Sequence, residues 1–486
     1  MSSIAETMSG PVQGKVKNDI LLFAGIPYAA APVGGKRFRR AVAHEPWSEV
    51  RAATRFGPAA PQLPNGGMTA NTPVNWNEDC LFLNICTPAL DSSKRPVLFW
   101  IHGGGYRTGQ GAIPWYDGTS FALNGDIVVV SINYRMGAFG FTDLSQFGDE
   151  YSTSGINGIL DQIVALEWIR DNISNFGGDP DQVTIAGESA GGFAVGTLLG
   201  CERAQGLFHR AIPQSGAAHH TISAAAGRKV ADLLLKEVKA DSMEALQEFS
   251  AEDILKAQGK IDLSIQRGEE SIGETGSPFY PVTGNEILPL SPIEAIRNGT
   301  GKNVDVLTGT NKDEATLFIM SDVPEARLKS EVEGYGGDES LLDAYRLNLP
   351  GASTTDLSIS LSTDFTFRIP AIRFAEARCA HKAKTWVYLF NWESRNPKLK
   401  ATHALEIPFV FNNLGKAGVD VFIGKGSLPQ SVADTMHIAW TGFIRDGDPG
   451  WQTYELEDRA TMAFDSVSAV ELDPGRFRRE AWEGIR

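Results

Sequence analysis

The chain has 486 residues, 42% hydrophobic and 21% charged, a balance that suits a soluble folded enzyme and excludes a disordered or collagen-like chain. Its formal net charge of -15 excludes a nucleic-acid binder, which needs a basic footprint, and disfavours acidic substrates at long range.

The first ten residues, "MSSIAETMSG", lack the basic stretch and apolar run of an export signal, and the longest apolar streaks, such as "IVVV" at 127–130, fall far short of a membrane span. The chain therefore reads as soluble and cytoplasmic, with no membrane and no nucleic acid among its partners. Cys80, Cys86, Cys201 and Cys379 form no C-x-x-C pair, which implies neither a zinc site nor a disulfide framework. No metal or cofactor is expected, because the histidines and cysteines show no ligand spacing. "NIS" at 172 and "NGT" at 298 match a glycosylation pattern without a secretory context. With no repeat and no long Ser/Gly/Pro linker, residues 1–486 are expected to form one domain.

In chain order, the first buried strand is "PVLFWI" at 96–101. It runs into "HGGG" at 102–105, a glycine run that can present several backbone N–H groups side by side to a developing oxyanion. A phosphate loop is the competing reading, but no Lys-Ser/Thr follows the glycines. The next strand is "DIVVVSI" at 126–132. Then "ILDQIVALEWIRDNI" at 159–173 has helical spacing, with Ile159, Ile163, Leu166 and Ile169 on one stripe and Asp161, Glu167 and Asp171 elsewhere.

The strand "QVTIAG" at 182–187 leads into Gly187-Glu188-Ser189-Ala190-Gly191 and then a helical run. Strand, turn and helix are the setting in which G-x-S-x-G becomes a nucleophile elbow, with small residues two positions either side of a strained serine. The following helix aims its partial positive charge at the same place. The acidic helical region around 222–260 interrupts the strand pattern and is expected to form a cap or side lobe over the strand C-termini. Strand "VDVLTG" at 304–309 is followed by Asp313 and Glu314, and spacing does not choose between these two carboxylates. After strand "TWVYLF" at 385–390, His403 lies in an irregular Pro-containing segment suited to a catalytic loop. It is favoured over His381, in a charged helical stretch, and His437, in an amphipathic helix. Strand and helix alternation implies an open, mostly parallel α/β sheet with helices on both faces. Serine, then acid, then histidine is the chain order of α/β-hydrolases.

Eight motifs stand in order along the chain: "FAGIPYAAAPVGGKRF" (23–38), "NEDCLFLNI" (77–85), "WIHGGGY" (100–106), "NYRMGAFGF" (133–141), "FGGDPDQVTIAGESAGG" (176–192), "GLFHRAIPQSG" (206–216), "NKDEATLF" (311–318) and "THALEIPFVF" (402–411). With them the chain resembles the type-B carboxylesterases, which include cholinesterases and bacterial para-nitrobenzyl esterases. The resemblance implies an α/β-hydrolase fold, Ser189 as nucleophile, Glu314 as acid and His403 as base. It further implies Gly104, Gly105 and Ala190 as oxyanion-hole donors, and Glu188 as an electrostatic neighbour of the histidine. The choice of Glu314 over Asp313 comes from the resemblance alone.

The sequence departs from the family at several points. Cys80 has no partner, since "FGPAAPQ" carries Ala59 and Ala60 where the family has a cysteine. The segment 63–76 lacks a counterpart of the choline-binding tryptophan, Trp76 lying too close to Cys80. Ala315 and Ala404 stand where glycines are common. The expected activity is serine carboxylesterase, with a small-molecule ester as substrate and an acyl-enzyme intermediate. The same machinery would serve a carbamate or aryl amide, and a non-catalytic cholinesterase-like binding protein is the remote alternative. Trp115, Phe279, Phe318 and Phe365 are candidates for an apolar pocket, although core packing is the commoner fate of such residues.

Overall fold

The computed structural model describes residues 3–64, 74–274 and 276–486. Positions 65–73 of the segment compared with the choline-binding region, and the first two residues of the N-terminus, lie outside the described residues.

An 11-stranded sheet runs through the molecule. In chain order its strands are β1 (Lys15–Lys17), β2 (Ile20–Pro27), β3 (Phe82–Thr87), β4 (Arg95–Ile101), β5 (Val128–Ile132), β6 (Gly178–Glu188), β7 (Arg210–Gln214), β8 (Asp305–Asn311), β9 (Thr385–Phe390), β10 (Ala460–Phe464) and β11 (Ala469–Leu472). Their spatial order is β11-β10-β9-β8-β7-β6-β4-β5-β3-β2-β1. From β5 to β10 every neighbouring pair is parallel, and β1 to β3 and β11 add antiparallel edges. The five strand segments expected from apolar runs all fall on β4, β5, β6, β8 and β9. Their near-continuous burial explains why they read as unbroken rather than alternating runs.

Register sets the C-terminal ends of these strands in one row. Ile101 pairs with Gly187, Glu188 with Gln214, Gln214 with Gly309, and Asn311 with Phe390. Glu188 ends β6, and the other candidate site residues lie on the loops and the helix start that leave this row, which is where open α/β sheets place their chemistry.

Helix α1 (Asn157–Asn172) buries Ile159, Ile163, Leu166 and Ile169, as the stripe predicts. It also buries Asp161, which the amphipathic reading sets apart from the apolar face. Arg135 accounts for this: its Nε donates to Asp161 Oδ2 at 2.8 Å and its Nη2 to Oδ1 at 2.7 Å, a two-point pairing that a fully buried carboxylate requires.

Helix α2 (Ala190–Leu199) follows β6 directly. The acidic region folds as helices α3 (Ala224–Val238), α4 (Met243–Glu248) and α5 (Ala251–Gln266), with serine N-caps on all three. A second helical excursion, between β8 and β9, includes α6 (Thr354–Thr363), a wide π-helical turn at Asp364–Arg368, and α7 (Ile369–Cys379). Cys80 is free and buried, with its thiol pushed up by burial and then by the Asp161 carboxylate. Among the described residues no helix is long and apolar enough to cross a membrane.

Candidate active site

Ser189 occupies the turn between β6 and α2 with φ 58° and ψ −125°, a backbone conformation that side-chain-bearing residues rarely adopt. The turn closes because its neighbours are glycines: a Cβ on Gly187 would lie 2.6 Å from the Gly191 carbonyl carbon. The Ser189 N–H donates to the Gln214 carbonyl at 3.0 Å, and the Ser189 carbonyl accepts from the Phe193 N–H at 2.8 Å. These bonds tie both sides of the turn and leave the side chain half-buried in a cleft of about 610 Å³.

His403 and Glu314 lie in the same place. Both are buried, and His403 Nδ1 donates to Glu314 Oε2 at 2.6 Å. The other carboxylate oxygen, Oε1, accepts from Ser215 Oγ at 2.6 Å and from the Asn311 N–H at 2.7 Å. Glu314 is therefore locked from two sides, with one oxygen reserved for the imidazole. Asp313 takes the opposite direction, its carboxylate accepting from the Ala401 N–H at 3.4 Å, so the two adjacent acids that spacing left equal have separate surroundings. His403 Nε2 faces the cleft that Ser189 lines, and Ser189 Oγ makes no hydrogen bond among the described residues. Such nucleophile–base contacts often tighten only with substrate present.

The competing histidines lie elsewhere. His381 is half-buried with Nε2 donating to the Arg297 carbonyl at 2.8 Å, and His437 is buried, bonded through Nδ1 to the Val410 carbonyl at 2.9 Å. His102 stacks on Tyr134 and is pushed down to about 4 by burial, which keeps it a neutral packing residue.

Gly104 and Gly105 take φ of +113° and +64°, the first against Thr108 so closely that a side chain would not fit. Among the described residues the N–H groups of Gly104, Gly105 and Ala190 donate to no other group; the two glycines line the cleft with Ser189, and Ala190 follows Ser189 directly. Ala190 is the first residue of α2, where an N–H has no partner within the helix. Ala404, where a glycine is common, keeps the left-handed φ of 65°, a strain on the order of 1 kcal/mol that glycine would avoid. Ala315 is buried, its N–H donating to Thr363 Oγ1 at 3.1 Å.

Serine, imidazole, carboxylate and unengaged backbone donors around one cleft equip a protein for acyl transfer, and the chain-wide comparison agrees. The model of the carboxylesterase family matches residues 1–469. The chain belongs to the carboxylesterase family. It is 37% identical to the para-nitrobenzyl esterase of Bacillus subtilis over 98% of each chain, and 35% identical to the phenmedipham hydrolase of Pseudarthrobacter oxydans over 94% of each. A solved carboxylesterase of Geobacillus stearothermophilus superposes with a TM-score of 0.89 at 39% identity, covering 99% of this chain and 100% of that one. This protein is accordingly an α/β-hydrolase and a serine carboxylesterase.

Other features of this carboxylesterase's site carried no signal of their own in the sequence. Glu406 is fully buried behind His403, accepting from Asn311 Nδ2 at 2.7 Å and Gln214 Nε2 at 3.2 Å. In sequence it reads as an ordinary acidic residue opening a short helix. Of the four candidate aromatics only Phe318 lines the cleft; Trp115 and Phe279 are core residues and Phe365 stacks on Tyr335. Phe193, Phe367, Tyr116 and Tyr280 line it instead. Phe367 sits on the π-helical turn, its ring centroid 4.7 Å from that of His403.

Glu188 Oε1 lies 3.0 Å from His403 Nε2, close enough for charge attraction, yet among the described residues neither Glu188 oxygen has a partner in hydrogen-bond geometry. Burial alone would lower the His403 imidazole, but the Glu188 and Glu314 carboxylates override it and push it up to about 9. Burial drives Glu188 well up too, against the pull of His403 and with help from Glu406 and Glu314, and Glu406 is pushed up to about 7 by burial and Glu314. One imidazole cannot neutralise three buried carboxylates, so burial and mutual repulsion make Glu188 and Glu406 bind protons more tightly than free glutamates. In its ionised form Glu188 is a charge that holds His403 protonated, and without that charge the imidazole is freer to act as a base. Glu188→Gln is therefore expected to move the acid limb of the kcat/KM–pH profile for a neutral ester to lower pH. An unchanged midpoint would show that Glu188 does not act on the base.

Proposed function

We propose that Ser189 Oγ attacks the carbonyl carbon of a small-molecule ester while His403 Nε2 takes its proton and Glu314 holds the imidazole in the tautomer and orientation needed. The N–H groups of Gly104, Gly105 and Ala190 stabilise the resulting oxyanion. Collapse of the tetrahedral intermediate breaks the bond to the alcohol oxygen, which leaves with the proton from His403. Water, deprotonated by the same histidine, then attacks the acyl-serine and releases the acid. The observation that carries the reading is the 2.6 Å bond from His403 to a doubly anchored Glu314, beside a half-buried Ser189 on a strained turn. The cleft, about 610 Å³, suits a small-molecule ester.

A fluorophosphonate should label the protein at one equivalent, with the adduct on the peptide that contains Ser189. An adduct on another residue, or none on protein that hydrolyses esters, would overturn the assignment. We further read residues 1–486 as one domain, supported by the register that links Lys15–Lys17 to Ala469–Leu472 in one sheet, with Gln258 of the helical insertion around 222–260 lining the cleft. A cytoplasmic location is supported by the four free cysteines, two of them fully enclosed.

A further inference from the structure

Arg107 lies two residues beyond the oxyanion glycines and closes their turn, its N–H donating to the Gly104 carbonyl at 3.0 Å. Its guanidinium reaches helix α5, where Nη2 donates to Asp262 Oδ1 at 2.6 Å. Both side chains line the cleft, and at 31% and 25% exposure they stand where it meets solvent. The other ionisable residues lining the cleft are Glu188, His403, Tyr116 and Tyr280, so Arg107 is its one permanent cation among the described residues.

The pair is incompletely made. A guanidinium and a carboxylate match through two parallel bonds, and this chain shows that match at Arg135, whose Nε and Nη2 both bond Asp161. Among the described residues Arg107 uses only Nη2, and its Nε is buried with no partner. Burial also raises the Asp262 carboxyl, with Arg107 only partly opposing, so its charged form is poorly accommodated. Asp262 is a weak occupant of a donor edge that offers two bonds and receives one.

We infer that Arg107 is a specificity-determining residue that binds a second, non-reacting carboxylate of the substrate, with Asp262 as the partner that this carboxylate displaces. The substrate class is then esters bearing a free carboxylate away from the scissile bond, such as half-esters of dicarboxylic acids. The net charge of -15 opposes such substrates at long range, but in physiological salt that repulsion is screened beyond about 8 Å, and recognition is decided locally. The inference rests on the Ser189 chemistry proposed above, and the exchange itself makes and breaks only hydrogen bonds.

The test compares kcat/KM for monoethyl suberate and sebacate with that for the matching ethyl ester half-amides, and likewise for ω-acetoxy acids and their amides, which carry the carboxylate on the alcohol side. Expressed as a ratio, any general loss of activity in a variant cancels. The wild type should favour the carboxylate in at least one series. Arg107→Gln should lower that ratio about tenfold and Arg107→Lys should restore only part of it, because a point charge does not bond through two parallel donors. Asp262→Asn, which leaves the oxyanion turn intact and frees the donor edge, should raise the ratio several-fold and decides the matter even if the Arg107 variants are poorly active. A ratio unmoved by Asp262→Asn in enzyme that still turns over the half-amides overturns the role of Arg107 alone. Wild-type protein that hydrolyses neither the half-esters nor the half-amides would instead sink the Ser189 reading beneath it.

Discussion

Replacing Ser189 with alanine is expected to lower kcat for a short aryl ester by about 10⁴- to 10⁶-fold, the range seen when a hydrolase loses its nucleophile. The fold should be little disturbed. The two bonds that fasten the turn, from the Ser189 N–H to Gln214 and from the Phe193 N–H to the Ser189 carbonyl, belong to the backbone and survive the change. The strained φ of 58° is borne by alanine as by serine, so no new strain arises. Substrate binding should persist, because the cleft and its backbone donors are retained, and KM should move much less than kcat. Residual turnover above the uncatalysed rate would report what the Gly104, Gly105 and Ala190 donors do alone. Rates measured beside a far-UV circular dichroism spectrum and a melting curve check this, and turnover close to that of the wild type in a folded variant would refute Ser189 as nucleophile.

What could be read before folding follows from the distance over which each feature is determined. Strands β4, β5, β6, β8 and β9 are buried on both faces, so each declares itself in a local apolar run, and the strand–turn–helix around Ser189 is local as well. Asp161 misleads for the opposite reason. A charge at a helix position reads as solvated, and what reverses it is Arg135, 26 residues earlier. Asp313 and Glu314 are indistinguishable by spacing because their directions depend on whether the segment around Ala401–His403 lies against one side of the β8 loop or the other. Ser215, Glu406 and Phe367 reach the site by the same route. Each becomes part of it only once β7, β8 and the π-helical turn stand side by side, and none has a neighbouring residue that announces its role.

Glu314→Gln should lower kcat about 10⁴-fold with little change in the fold, although it alters a single atom of a residue that touches no substrate. The carboxylate meets three donors: His403 Nδ1 on Oε2, and Ser215 Oγ and the Asn311 N–H on Oε1. An amide has one accepting oxygen, so its NH₂ must face one side or the other. Turned toward His403, it donates to Nδ1, forces the proton onto Nε2 and leaves no lone pair to accept from Ser189. Turned toward Oε1, it opposes the fixed Asn311 N–H, an unsatisfied contact costing about 1–3 kcal/mol, and the imidazole then retains a neutral rather than an anionic partner as positive charge develops. Either arrangement also removes a carboxylate that helps push His403 up to about 9, so the acid limb of the pH profile should move to lower pH as activity falls. Asp313→Asn supplies the contrast. Its carboxylate accepts only a long bond, 3.4 Å, from the Ala401 N–H and points away from the imidazole, so kcat should stay within a few-fold of the wild type. Measured side by side, a large loss in Glu314→Gln with little loss in Asp313→Asn assigns the acid, and the reverse pattern would transfer the role to Asp313.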